Sequence, residues 1–179
     1  DWTFRNNVFI NSRIQMNIYA PGFKFYNNTV YNTPGIIGFR GATGTSGNGV
    51  PILVYNNIFC RVGDSTQGSG GPYSGATADY NLITNWNDDG RKPFYSEANG
   101  INGGYTPQQI FVDPANGDFT LKTGSPAIGS GVDLATIPGL ITDGSVISTK
   151  NMGAYAVIAP ASSLSLSAPS KARVSSVAP

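Results

Sequence analysis

The chain has 179 residues, a net charge of +1, charged residues at 12% (about half the usual share) and no histidine. This balance gives no electrostatic footprint for nucleic acid or a membrane surface. Without histidine there can be no Ser-His-Asp or Cys-His triad and no His-based zinc site.

Other exclusions follow from composition. No apolar run approaches the roughly 18 residues of a spanning helix. With 23 glycines, many asparagines and few Lys or Glu, the chain is a poor helix former. The hydrophobic share of 40% is enough for a core. The lone Cys60 excludes an internal disulfide and reads as a packed or surface thiol. Asp1 is not a natural start, so the chain reads as a mature or cut product.

The first element is "FRNNVFINS" at 4–12, followed by the strand-like "IQMNIYA" at 14–20. A second copy, "FYNNTVYNT", stands at 25–33, with the strand-like "GIIGFRG" at 35–41. The third copy, "VYNNIFCRV" at 54–62, overlaps "PILVYN" at 51–56, and a weaker fourth, "ADYNLITNW", occupies 78–86. Aligned on the second asparagine, the copies place Asn7, Asn28, Asn57 and Asn81 at intervals of 21, 29 and 24 residues. Three residues earlier stand Phe4, Phe25, Val54 and Ala78, and two residues later Phe9, Val30, Phe59 and Ile83. Both columns are apolar. The column holding Arg5, Tyr26, Tyr55 and Asp79 is polar-tipped and predicts an outward face.

The apolar columns are five residues apart, whereas strand alternation keeps an even spacing on one face. A bend at the asparagine reconciles them, because Asn tolerates the left-handed conformation. Each copy therefore reads as strand, Asn corner, strand. Stacked corners would join their amides in a ladder. Repeats of this length admit several solenoids. The leucine lattice of leucine-rich repeats and the helix formers of helical repeats are absent, and propeller blades run longer. A parallel β-helix fits best.

Three insertions separate the coils: 41–49, 63–77 and the longest, 86–109. Beyond them comes "FVDPANGDFTLKTGSPAIGSGVD" at 111–133, then "NMGAYAV" at 151–157. With "NNVFINS", "NNTVYNT" and "NNIFCRV", these stretches resemble the C-terminal coils and closing segment of secreted bacterial β-helix proteins of the pectate-lyase-like superfamily. The resemblance covers about residues 3–157. It implies a strand, an Asp-Pro turn, a strand, a "GSPAID"-type turn and a closing strand. Gly129 and Ala156 depart from that pattern, where the family often has Asp and Glu. The expected fold is all-β: a right-handed parallel β-helix of about five to six coils with C-terminal closure, over residues 1–157. Residues 158–179 read as a Ser/Ala/Pro-rich linker or the start of a further module.

The superfamily contains lyases, hydrolases, tailspikes, adhesins and non-enzymes, so activity must be argued from residues. Glycoside hydrolysis needs two carboxylates roughly 5–10 Å apart. The densest acid cluster is Asp88, Asp89 and Glu97, with Arg91 and Lys92 between. Lyases of this kind need a Lys or Arg base, and many need Ca²⁺ to acidify the proton removed. The expected catalytic set is therefore Asp88, Asp89, Arg91 and Lys92. Asp64, Asp88 and Asp89 would hold Ca²⁺ if their loops project from one face. The competing reading of "NDDGRK" is a solvated turn with weak local ion pairs.

Tyr26 and Tyr55 share the outward column, and together with Trp86 and Tyr95 they are the candidate sugar-stacking residues. Ring stacking that only supports the sheet is the competing reading. Asp113 and Asp118 read as turn caps, and the Asn27-Asn28-Thr29 sequon as coincidence at a tight corner.

Two functions stay open. One is the carbohydrate-contacting C-terminal part of an extracellular polysaccharide-processing protein. The other is a non-catalytic structural or adhesive cell-surface protein, able to form filaments. The chain opens inside a coil with no cap, which predicts preceding coils or another copy stacked on that end.

Overall fold

The computed structural model describes residues 2–11, 16–18, 22–39, 52–63, 76–84, 97–142 and 150–154. The chain is all-β in class, built mostly from parallel strands in two main sheets. Among the described residues the one α-helix spans four residues. That helix is not long and apolar enough to cross a membrane.

The repeated units supply the strands in pairs. β1 (Thr3–Arg5) and β2 (Val8–Ile10) come from the first unit. β3 (Met16–Ile18) follows, then β4 (Lys24–Tyr26) and β5 (Thr29–Phe39) from the second unit. β6 (Ile52–Tyr55) and β7 (Ile58–Gly63) form the third, and β8 (Ala76–Asp79) and β9 (Leu82–Thr84) the fourth. β10 is Ile101–Asn102.

The strands before each corner make one parallel sheet in the order β1-β4-β6-β8. Those after it make a second, β10-β9-β7-β5-β2. The register follows the sequence alignment: Phe4 pairs with Phe25, Phe25 with Val54 and Val54 with Ala78. Phe9 pairs with Val30, Val30 with Phe59 and Phe59 with Ile83. The expected strands at 14–20 and 35–41 also pair, Met16 beside Ile37.

Both aligned apolar columns point into one core with Phe23 and Ile52. The rings stack within it: Phe25 lies 6.1 Å from Phe9 and 6.2 Å from Phe59, near-parallel to both. Such offset pairs add to the area they bury.

Residues 107–142 then cover the outer faces. Helix α1 (Pro107–Ile110) leads into β11 (Phe111–Asp113), a 3-10 turn at Pro114–Asn116 and β12 (Asp118–Leu121). β11 and β12 pair antiparallel with each other, so the expected strand, Asp-Pro turn and strand are present. Phe111, Phe119 and Leu121 pack on Ile58, Cys60 and Leu82, the outward residues of the second sheet. Leu134 and Leu140 pack on Tyr26, Leu53 and Tyr55, the outward residues of the first. The segment expected to close the stack thus lies along both flanks. Its last described residues, 151–154, contain no strand, and the rest of the expected closing strand lies outside the described residues.

Gly153 shows how closely this flank sits. Its N–H donates to Asn56 O, and an added Cβ would come within 2.6 Å of Ile58 Cδ1. Its φ of +90° is a second reason for glycine.

Candidate functional site

The two asparagines of each corner have separate tasks. The first turns the chain: Asn6, Asn27 and Asn56 have φ of 56°, 51° and 54°, and Tyr80 takes the same place in the fourth unit at 57°. The second forms the ladder. Asn7 donates its backbone N–H and its Nδ2 to Asn28 Oδ1, both at 3.0 Å. Asn28 donates likewise to Asn57 Oδ1 at 2.9 and 3.1 Å, and Asn57 to Asn81 Oδ1 at 2.8 Å twice. Asn28, Asn57 and Asn81 are fully buried. The expected ladder at Asn7, Asn28, Asn57 and Asn81 is therefore present. The left-handed turn expected at those same residues belongs instead to the residue before each. The reason is geometric: the ladder residue needs its own N–H and amide aimed along the stack, and the preceding residue makes the turn that aims them.

The ladder ends on an acid. Asn81 donates its N–H to Glu97 Oε2 and its Nδ2 to Glu97 Oε1, both at 2.8 Å. The carboxylate takes the place of a fifth amide. Gly100 lets it sit there, since a Cβ at Gly100 would stand 2.5 Å from Oε2. Burial pushes the Glu97 carboxyl up to about 7; the bonds from Asn81 oppose this, and the nearby Asp79 charge adds to it. Asp79 is itself engaged, accepting from Tyr80 N–H, Asn99 N–H and Asn99 Nδ2 at 2.7–2.9 Å. Burial also raises the Tyr55 phenol, and Asp79 and Glu97 raise it further. Asp79, Glu97, Tyr55 and Tyr80 therefore share one electrostatic neighbourhood at the ladder's end.

A second column runs along the outside, four residues after the first. Asn11, Asn32 and Arg61 are all left-handed, with φ of 49°, 48° and 54°. Asn32 Nδ2 donates to Asn11 Oδ1 at 2.6 Å, and an Arg61 guanidinium N–H to Asn32 Oδ1 at 2.8 Å. The recurrence of Asn after "VFI" and "VY" is its signal in the sequence.

The remaining expected site residues divide as follows. Asp64, Trp86, Asp88, Asp89, Arg91, Lys92 and Tyr95 lie outside the described residues. Tyr26 and Tyr55 are register neighbours on the outer face, as expected. They do not form an exposed strip: Tyr26 is 1% and Tyr55 7% exposed, because Leu134 and Leu140 cover them. Asp113 and Asp118 hold turns, accepting from Asn116 Nδ2 and from Thr120 N–H. Asn27, the acceptor of the sequon, is buried in its corner. Cys60 is buried in the second flank, which pushes its thiol far up. Among the described residues no group of three or more Cys, Asp or Glu could hold a metal ion.

No family model, curated protein or solved structure matches the chain.

Proposed function

We propose that the parallel units are turns of a right-handed parallel β-helix, and that the chain is a non-catalytic structural part of an extracellular or cell-surface protein of that kind. The observation that carries this reading is the employment of the polar groups around the corners. Glu97 ends the ladder. Asp79 holds the turn at Asn99, and buried Lys24 donates to Thr142 Oγ1 at 2.9 Å. Residues 107–142 cover outward faces of both sheets, where a sugar chain would otherwise lie.

One observation favours carbohydrate processing as the second reading. Residues 85–96, which carry Trp86, Asp88, Asp89, Arg91, Lys92 and Tyr95, connect Thr84 to Glu97. Their C-terminal neighbour is therefore Glu97, whose acid neighbour is Asp79. A carboxyl held near 7 next to another acid is the pairing that general acid–base work requires. The test is depolymerisation of uronate and neutral polysaccharides, followed by lyase product absorbance and reducing ends. The structural reading expects no cleavage by the wild type. Cleavage abolished by Asp89→Asn or Lys92→Ala would overturn it in favour of the second.

A further inference from the structure

An asparagine followed by glycine readily loses its side-chain amide, because no Cβ keeps the glycine nitrogen away from the asparagine Cγ. The described residues hold three such pairs, Asn99-Gly100, Asn102-Gly103 and Asn116-Gly117. A fourth, Asn48-Gly49, lies outside them. All three described asparagines are exposed, so water reaches each. What separates them is the nucleophile. Gly103 N–H donates to Ile83 O, and Gly117 N–H to Pro114 O. Among the described residues no group accepts the Gly100 N–H. Regular backbone also fixes the other two, Asn102 in β10 and Asn116 in the 3-10 turn, whereas Asn99 lies in a bend between Glu97 and β10.

The leaving nitrogen is placed as well. Asn99 N–H donates to Asp79 Oδ1 at 2.7 Å and Asn99 Nδ2 to Asp79 Oδ2 at 2.9 Å. A carboxylate at that nitrogen stabilises the positive charge it develops as it gains a proton and departs. Asn116 Nδ2 has the same arrangement with Asp113 Oδ2, but the N–H of its glycine is held.

We infer that Asn99 is a spontaneous deamidation site whose product opens the last rung of the ladder. Gly100 N attacks Asn99 Cγ and gives up its proton to solvent. The Cγ–Nδ2 bond breaks, and the nitrogen takes a proton from solvent and leaves as ammonia. The cyclic imide then adds one water and opens to aspartate or isoaspartate. One water is consumed, one ammonia is released, and nothing is oxidised or reduced.

The consequence follows from what the segment holds. Residues 97–101 grip Asn81 from two sides: Glu97 accepts its N–H and Nδ2, and Ile101 N–H donates to its O at 2.8 Å. Asn99 on Asp79 pins the middle of that grip. A carboxylate at position 99 replaces a donor to Asp79 with a like charge. The isoaspartate product also adds one main-chain carbon between residues 99 and 100. Both products loosen the segment that ends the ladder.

The wild-type chain is aged in mildly alkaline buffer, native and in urea, and its products are mapped by proteolysis and mass spectrometry. In the native chain Asn99 should convert at least about fivefold faster than Asn102 or Asn116. In urea, where the fold holds no glycine N–H, the three should convert at similar rates. Equal native rates, a slower Asn99, or the same preference in urea would overturn the site. The link to the ladder is read separately, by hydrogen exchange at the Asn81 and Ile101 amides. Asn99→Asp should speed exchange at both by at least about tenfold, and Asn99→Gln, which keeps an uncharged amide, should speed it less. Unchanged exchange in Asn99→Asp, or an equal effect of both variants, would overturn that link.

Discussion

Asn56 and Asn57 are chain neighbours with opposite requirements. Asn57 must be an amide, because its Oδ1 accepts two donors from Asn28 while its own donors serve Asn81 Oδ1. Removing the side chain strands buried groups, and unsatisfied buried donors cost more than the bond itself returns. Asn57→Ala should therefore lose about 2–4 kcal/mol. Asn56 must first be left-handed, and its side chain adds a second benefit: Oδ1 accepts Val132 N–H and Nδ2 donates to Val132 O. Asn56→Gly keeps the turn and should cost about 1–2 kcal/mol. Asn27 occupies the same place in the second unit, but its buried Oδ1 has no partner. Asn27→Gly should change stability by no more than about 0.5 kcal/mol. Urea midpoints of the three variants should fall in that order. If Asn27→Gly, which keeps the turn, proved as damaging as Asn57→Ala, the Asn27 side chain would be holding the corner as firmly as the amide column does.

At the scale of elements, the ladder is a row of aligned dipoles that ends on Glu97. The folded Glu97 carboxyl titrates near 7, against 4.5 ordinarily, because burial disfavours its charge. Between those values the folded state binds a proton that the unfolded state has released. Its stabilising contribution is therefore complete below about 4.5 and is lost as pH rises through about 7. The chain should be more stable at pH 5 than at pH 8, by up to about 2–3 kcal/mol. Glu97→Gln should flatten that slope, which chemical denaturation at both pH values would measure. An unchanged slope would place the titrating group elsewhere. Much of this element was legible beforehand. The inner columns and the ladder repeat in every unit, so four aligned copies supply the register. The turn was assigned to the wrong member of the pair because three copies carry Asn at both positions. The fourth, with Tyr80 before Asn81, separates the two tasks. Glu97 stands outside the repeat, so no period pointed to it. Tyr26 and Tyr55 were placed on the correct face but expected to be bare. Leu134 and Leu140, which cover them, lie far downstream and share no period with the strands.

At the scale of the whole molecule, the question is whether the flanks fold with the stack or merely rest on it. The described contacts argue for one cooperative body. Phe119 is 1% exposed, in a cluster shared with Ile58, Cys60 and Leu82 of the second sheet. Asn56, at a corner of the stack, bonds both to Val132 and to Gly153. Cys60 reports on this directly, because it faces outward from its sheet and is buried only by what covers it. In the native protein its thiol should be inert to a labelling reagent, since burial excludes the reagent and disfavours the thiolate. If flank and stack unfold together, labelling and loss of far-ultraviolet dichroism should share one urea midpoint. Phe119→Ala leaves a cavity over Cys60 and should cost about 3–5 kcal/mol. In a single body that loss lowers both midpoints equally. In a loosely held flank, Cys60 would label at low urea while the strands persisted. Such a split would confine the cooperative unit to the two parallel sheets.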